Sequence, residues 1–275
     1  MALDGSSGDI RAEEILAALD NDQRAVALAT RGPVCVIAGA GTGKTRAITH
    51  RIAYAAAIGT MDPQKVLALT FTSRAAGEMR TRLRSLGVPT VAARTIHSAA
   101  LKQLIYFWPT VFGGRVPELM TAKAGFIGEA INRAGLSGEL RATSRELMRD
   151  IASEIEWAKV SQVSPEDFVA EIDKRTQKPR VNADKLAKVY TAYESVKKQE
   201  LAFDFEDVLL LTVAMLEEER EVRERVQDQY RYFTIDEYQD ISPVQQRLIN
   251  AWLGSRQDIC VVGDPAQTIY SFAGA

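Results

Sequence analysis

Val34-Cys35-Val36-Ile37 running into Ala38-Gly39-Ala40-Gly41-Thr42-Gly43-Lys44-Thr45 decides the fold. A short apolar run, a glycine-rich turn and a helical pattern are the strand–loop–helix setting of a P-loop. Glycine lets backbone N–H groups close around phosphate oxygens where a side chain would collide. The backbone of Ala40, Gly41, Thr42 and Gly43 therefore forms the expected phosphate cradle. Lys44 can reach the β- and γ-phosphates, and the Thr45 hydroxyl can ligate Mg²⁺. The helix opening at Gly43 aims its positive end at the same anion. Ala38 stands where the pattern usually has its first glycine, and its small side chain is tolerable there. These residues point to a nucleoside triphosphate.

Outward from the loop, residues 66–71 form a second apolar run, residues 91–95 a short third, and Tyr232–Ile235 and residues 259–262 two more. Continuous apolar strands separated by helical patterns predict a parallel sheet covered on both faces. Helices are expected over 12–19, from about 22, over 42–57 and over 75–86. Between about 100 and 201 strand-like runs vanish and helical periodicity takes over, broken by glycine and proline. The reading is an α/β core over 11–100 and 201–275, an all-helical insertion over 101–200 and a flexible N-terminus over 1–10.

Composition restricts the rest. The 275 residues are 46% hydrophobic and 25% charged, with a formal charge of −2, so nucleic-acid contact must come from a local surface. Cys35 and Cys260 lie in apolar runs and read as buried, reduced thiols. No stretch is long enough to span a bilayer and the first residues lack a signal-peptide core, so a cytoplasmic protein is expected.

A second nucleotide motif, Asp236-Glu237-Tyr238-Gln239-Asp240, follows the strand Tyr232–Ile235. Carboxylates at the C-terminal end of a parallel strand face the crevice where α/β proteins bind ligands. Asp236 can share Mg²⁺ with Thr45, and Glu237 can orient or deprotonate the water attacking the γ-phosphate. After the last strand, Gln267 offers an uncharged amide to sense the γ-phosphate, and Tyr270 and Phe272 offer flat surfaces for bases.

With these stretches read, the chain resembles the N-terminal half of a superfamily 1A DNA helicase of the UvrD/PcrA/Rep type. The resemblance is carried by residues 19–24, 41–46, Leu69-Thr70-Phe71-Thr72-Ser73-Arg74 with the five residues after it, Thr95-Ile96-His97-Ser98, residues 203–209, the acidic box and residues 262–275. It implies a RecA-like P-loop domain with the helical insertion, using ATP and Mg²⁺. By the same resemblance Gln23 reads adenine, Arg46 contacts base or ribose, and Phe71, Thr72, His97 and Ser98 hold single-stranded DNA. Asp207 takes a structural role. Phe272-Ala273 replaces the family's common Trp-Arg and Ser73-Arg74 a common Asn-Lys, which implies altered strength of DNA binding. In the family a second RecA-like domain follows and supplies arginines to the γ-phosphate. The resemblance thus implies a 3′→5′ helicase acting on single strands and their junctions with duplex, in DNA repair. This piece of it would bind ATP and DNA but not unwind alone. A helicase–nuclease subunit and a non-motor ATP-switched DNA-binding module share enough of the motifs to stand as alternatives.

Overall fold

The computed structural model describes residues 5–140 and 144–267, with side chains from residue 10 onward. The chain divides into two compact units. One comprises the chain through Ala99, Leu216–Ile241 and the described residues from Ile249; the other comprises Ala100–Met215 with Ser242–Leu248.

The first unit is built on five parallel strands, β1 (Val34–Ile37), β2 (Val66–Thr70), β3 (Ala92–Thr95), β6 (Tyr232–Ile235) and β7 (Ile259–Gly263). Their spatial order is β1-β7-β6-β2-β3. All five residues of β2 are buried, as its unbroken apolar sequence requires of a strand covered on both faces. Helices α1 (Gly5–Ala17), α2 (Asn21–Leu28), α3 (Lys44–Ala57), α4 (Ser73–Ser85) and α11 (Arg220–Gln229) belong to this unit. Ile48 and Ile52 of α3, Met79 and Leu83 of α4, and Val66, Ala68, Cys260 and Val262 of the sheet form one buried cluster.

Two expectations change here. Residues 5–10, expected to be flexible, lie in α1, whose Ala12, Ile15 and Leu16 are buried and anchor the helix. Cys35, expected to be buried, is exposed, whereas Cys260 is fully buried. Burial alternates along β1, with Val34 and Val36 half-buried and Cys35 and Ile37 exposed, so the face of the strand that carries Cys35 is left uncovered among the described residues.

In the second unit, α6 (Ala124–Arg133), α7 (Arg145–Val160), α8 (Phe168–Lys174) and α9 (Ala183–Gln199) enclose Ile127, Ile131, Ile151, Ile155, Phe168 and Tyr193. The unit is not wholly helical. β4 (Glu118–Leu119) and β5 (Ala202–Phe203) form a short parallel pair. Helix α5 (Ile96–Val111) leads in and α10 (Phe205–Glu218) leads out, and α12 (Pro243–Leu253) completes the elements. The division falls after Met215 rather than at residue 201, because charged groups at the start of α10 are tied to α7 and α9. Lys159 of α7 lies 2.8 Å from Asp204, and Lys197 of α9 lies 2.6 Å from Asp207. Among the described residues no helix is long and apolar enough to cross a membrane.

Candidate functional site

The glycine-rich loop leaves β1 and is held at both ends. Ala38 N–H donates to the Gly263 carbonyl of β7 at 3.2 Å, and the Thr42 hydroxyl donates to the Gly39 carbonyl at 2.9 Å. Gly41 and Gly43 have φ of 76° and 80°, a region that residues with a Cβ rarely enter. Gly43 is the N-cap of α3 and supplies no capping side chain, so the first amides of this helix face outward without a side-chain acceptor. An anion would satisfy them and the helix dipole together.

The acidic box arrives from the far side of β7. The order β1-β7-β6 puts Asp236, just after β6, within reach of Thr45 at the start of α3. The Thr45 hydroxyl donates to Asp236 Oδ2 at 2.9 Å, and Lys44 Nζ lies 3.7 Å from Glu237 Oε2. Lys44, Thr45, Asp236 and Glu237 are thus brought together from opposite ends of the sequence. Asp236 is 5% exposed, and burial pushes its carboxyl above the ordinary carboxylate range, only partly opposed by the Thr45 hydrogen bond. A hydroxyl and a desolvated carboxylate side by side are a donor set suited to Mg²⁺, whose charge would offset the cost of ionising Asp236.

The sign of that shift gives a testable outcome. A carboxyl whose pKa is raised on folding binds its proton more tightly in the folded state. Stability then falls as pH rises from the ordinary value through the raised one. At neutral pH the ionised Asp236 is a liability without a cation. Asp236→Asn is expected to raise Tm in metal-free buffer, by about 2–4 °C for each kcal/mol recovered. An unchanged or lower Tm by scanning calorimetry would count against this account.

Glu237 has a left-handed backbone, φ 54°, which costs a residue with a side chain about 1–3 kcal/mol. Its N–H donates to Asp236 Oδ1 at 3.0 Å, and its carboxylate accepts from Gln239 Nε2 at 2.8 Å. Gln239 also accepts from Asp264 N–H at 3.0 Å, tying the acidic box to the end of β7. Gln239 lies within the acidic box of the sequence, where its neighbours Asp236 and Glu237 carry the expected chemistry. A glutamine two residues after the acidic pair was the available signal. Gln267 is exposed and its amide donates to Asp264 Oδ2. Asp264 in turn borders the P-loop, since a Cβ built on Gly39 would lie 3.9 Å from its carboxylate.

On the other side of the loop, Asp20 caps α2 and accepts from Gln23 N–H at 2.8 Å. Gln23 Nε2 donates to the Thr42 carbonyl at 3.0 Å, leaving its carbonyl oxygen for a base. A cleft of about 730 Å³ opens here, with Gln23, Val26, Ile37, Ala38, Thr42 and Lys44 in its walls. Arg46 is turned onto the Ala18 carbonyl.

The remaining expected residues sit at the ends of β2 and β3, where Thr70 is paired with Thr95. This register sets Phe71 and Thr72 beside His97 and Ser98. Phe71 is half-buried; Thr72 and Ser98 are exposed. The Thr72 oxygen caps α4 by accepting from Ala75 N–H at 3.1 Å, so its proton is still available to a phosphate. The Ser98 proton is engaged, donating to the Thr95 carbonyl at 3.0 Å. Burial lowers the His97 pKa to about 4, so its imidazole is neutral at pH 7 and has a hydrogen bond rather than a charge to offer an anion. Tyr270 and Phe272 lie outside the described residues.

Comparison with known proteins follows the geometry. A sequence profile described as UvrD/REP helicase N-terminal domain matches residues 19–275. The chain is similar to the ATP-dependent DNA helicase UvrD2 of Mycobacterium tuberculosis, with 47% identity over 277 residues, covering 97% of this chain and 39% of that protein. It is also similar to the ATP-dependent DNA helicase PcrA of Leuconostoc citreum, at 32% identity over 96% of this chain and 34% of that protein. With PcrA of Staphylococcus aureus it shares 29% identity over 94% of its length. The chain therefore spans about two fifths or less of the relatives it matches.

Proposed function

Because this chain belongs to the UvrD/REP helicase N-terminal domain family, we propose that it is the ATP- and strand-binding portion of an ATP-dependent DNA helicase. The observation that carries this reading is the 2.9 Å hydrogen bond between Thr45 and Asp236, which joins the P-loop to the acidic box across β7. The five-stranded parallel sheet, with P-loop and acidic box at the C-terminal ends of its strands, is the RecA-like arrangement of that family.

In this reading Ala40, Gly41, Thr42 and Gly43 wrap the phosphates with backbone N–H groups, and Lys44 neutralises the β- and γ-phosphates. Thr45 and Asp236 hold Mg²⁺, which supplies charge neutralisation on the phosphates. Glu237 orients and deprotonates the attacking water, and Gln239 keeps its carboxylate in place. Gln267, released from Asp264, senses the γ-phosphate. Gln23 reads the adenine edge, and Arg46 swings from Ala18 toward the base or ribose.

Phe71 stacks on a base of single-stranded DNA, while Thr72, His97 and Ser98 line its backbone. Ile235 of β6 is paired with Leu69 of β2, so the acidic box and the strand-contact residues end neighbouring strands. In the whole protein ATP closes a cleft between this RecA-like domain and a second one and hydrolysis opens it, and the different grip of each state on the strand drives 3′→5′ stepping. Action at single-strand/duplex junctions, a role in DNA repair and a cytoplasmic location belong to the same proposal. The 275-residue chain by itself binds ATP·Mg²⁺ and single-stranded DNA and does not unwind duplex.

Three measurements test this. Fluorescent ATP should bind only with Mg²⁺ present, labelled oligothymidine should bind with a steep salt dependence, and a forked duplex should remain intact. In the longer parent protein single-stranded DNA should stimulate ATP hydrolysis. Nucleotide binding with no DNA response in that parent would replace the motor by a simple ATP-switched module.

A further inference from the structure

Residues 79–117 contain no aspartate or glutamate, in a chain with 36 acidic residues and a net charge of −2. The same stretch carries Arg80, Arg82, Arg84, Arg94, Lys102 and Arg115. It includes the whole of α5, whose first turn bears His97 and Ser98. Along the part of α5 in the second unit the exposed residues recur at helical spacing: Lys102, Ile105, Tyr106, Pro109 and Thr110. Tyr106 is 69% exposed and Ile105 47%, although both are large and apolar enough to be buried elsewhere. The Tyr106 ring meets the edge of Phe107 with centroids 4.8 Å apart, which steadies it while leaving a face open. Lys102 has no acidic partner among the described residues.

We propose that this stripe of α5 is a further single-stranded DNA contact, in which Tyr106 stacks on a base and Lys102 pairs with a phosphate. It rests on the DNA-binding reading of His97 and Ser98 and extends it along the same helix. At 1.5 Å per residue the stripe from Lys102 to Thr110 runs for about 12 Å. The chemistry selects a single strand, because a planar ring needs an unpaired base to stack on. A protein partner would equally cover Ile105 and Tyr106, but it gives no reason for a long stretch free of acids. A polyanion does.

The test uses the 275-residue chain and labelled oligothymidine, with anisotropy read at several salt concentrations. Tyr106→Ala should weaken binding about tenfold, and Tyr106→Phe should restore it. Lys102→Ala should flatten the log–log salt dependence by about 0.7. Both positions are exposed, so Tm and Mg²⁺·ATP affinity should not move. If Tyr106→Ala binds like the unsubstituted chain while Phe71→Ala is weakened, the α5 contact is overturned and the motif site stands. If the unsubstituted chain fails to bind at low salt, the DNA reading falls and this proposal with it.

Discussion

Lys44→Ala is expected to reduce ATP turnover by at least about 10²-fold, the scale on which removal of one preorganised charge-stabilising group acts. Lys44 opens α3 directly after an exposed loop, yet its side chain is only 9% exposed, drawn toward the acidic box. Its ammonium is 3.7 Å from the Glu237 carboxylate, a pairing that phosphate oxygens would share. Alanine removes the charge and leaves Glu237 with Gln239 alone. Lys44→Met keeps the stem and loses only the charge, so it separates packing from electrostatics. The check is turnover in the longer parent with saturating single-stranded DNA, together with nucleotide affinity in the chain itself. Turnover within a few-fold of the unsubstituted protein would remove the P-loop from the mechanism.

The largest stability effect is expected at Asp204, far from the nucleotide. Asp204 is 0% exposed, and Lys159 and Lys197, at 1% and 3%, place their ammonium groups 2.8 and 3.2 Å from it. Tyr193 donates its hydroxyl to the same carboxylate at 3.0 Å. Asp204 and Asp207 also exchange backbone-to-carboxylate hydrogen bonds of 2.8 and 3.0 Å, which fixes the start of α10. Burial opposes ionisation of Asp204, and Lys159 and Lys197 override it, so its pKa lies below the ordinary carboxylate range. Lys159, facing three carboxylates, is held above the ordinary lysine range. Glu194, Asp204 and Asp207 could be taken for a metal site, but the two ammonium groups already stand among them.

Asp204→Ala removes the fully buried acceptor shared by Lys159, Lys197, Tyr193 and the Asp207 N–H, leaving the two ammonium groups only the more exposed Glu194 and Asp207, and should cost about 3–5 kcal/mol in urea unfolding at pH 7. A depressed carboxylate pKa stabilises fully above its unfolded value and ceases to do so as pH falls through the folded one. The deficit of Asp204→Ala should therefore persist from neutral pH down to about 4 and close only in stronger acid. A loss under about 1 kcal/mol would mean that the cluster does not hold α10.

Much of this arrangement is legible locally. Strand β2 is apolar throughout and is buried throughout, because a strand covered on both faces admits no polar alternation. Gly41 and Gly43 stand where the backbone turns left-handed, a requirement that acts within a single residue. The end of the helical insertion was less legible. β-Texture is what marks a return to the sheet, whereas the start of α10 is held to the insertion by charges paired across 10, 48 and 83 residues, Lys197 and Lys159 with Asp207 and Lys123 with Glu206.

Residue chemistry alone specified a phosphate-binding loop, an acidic box after an apolar strand, and a parallel sheet interrupted by helices, since each is written in neighbouring positions. Tertiary structure alone decided that β7, the last strand in the chain, enters between β1 and β6. That insertion brings Asp236 to Thr45 and makes Gln239 a link between two strand ends. Strand order depends on which apolar faces and backbone edges satisfy one another across hundreds of residues, and no local pattern encodes that choice.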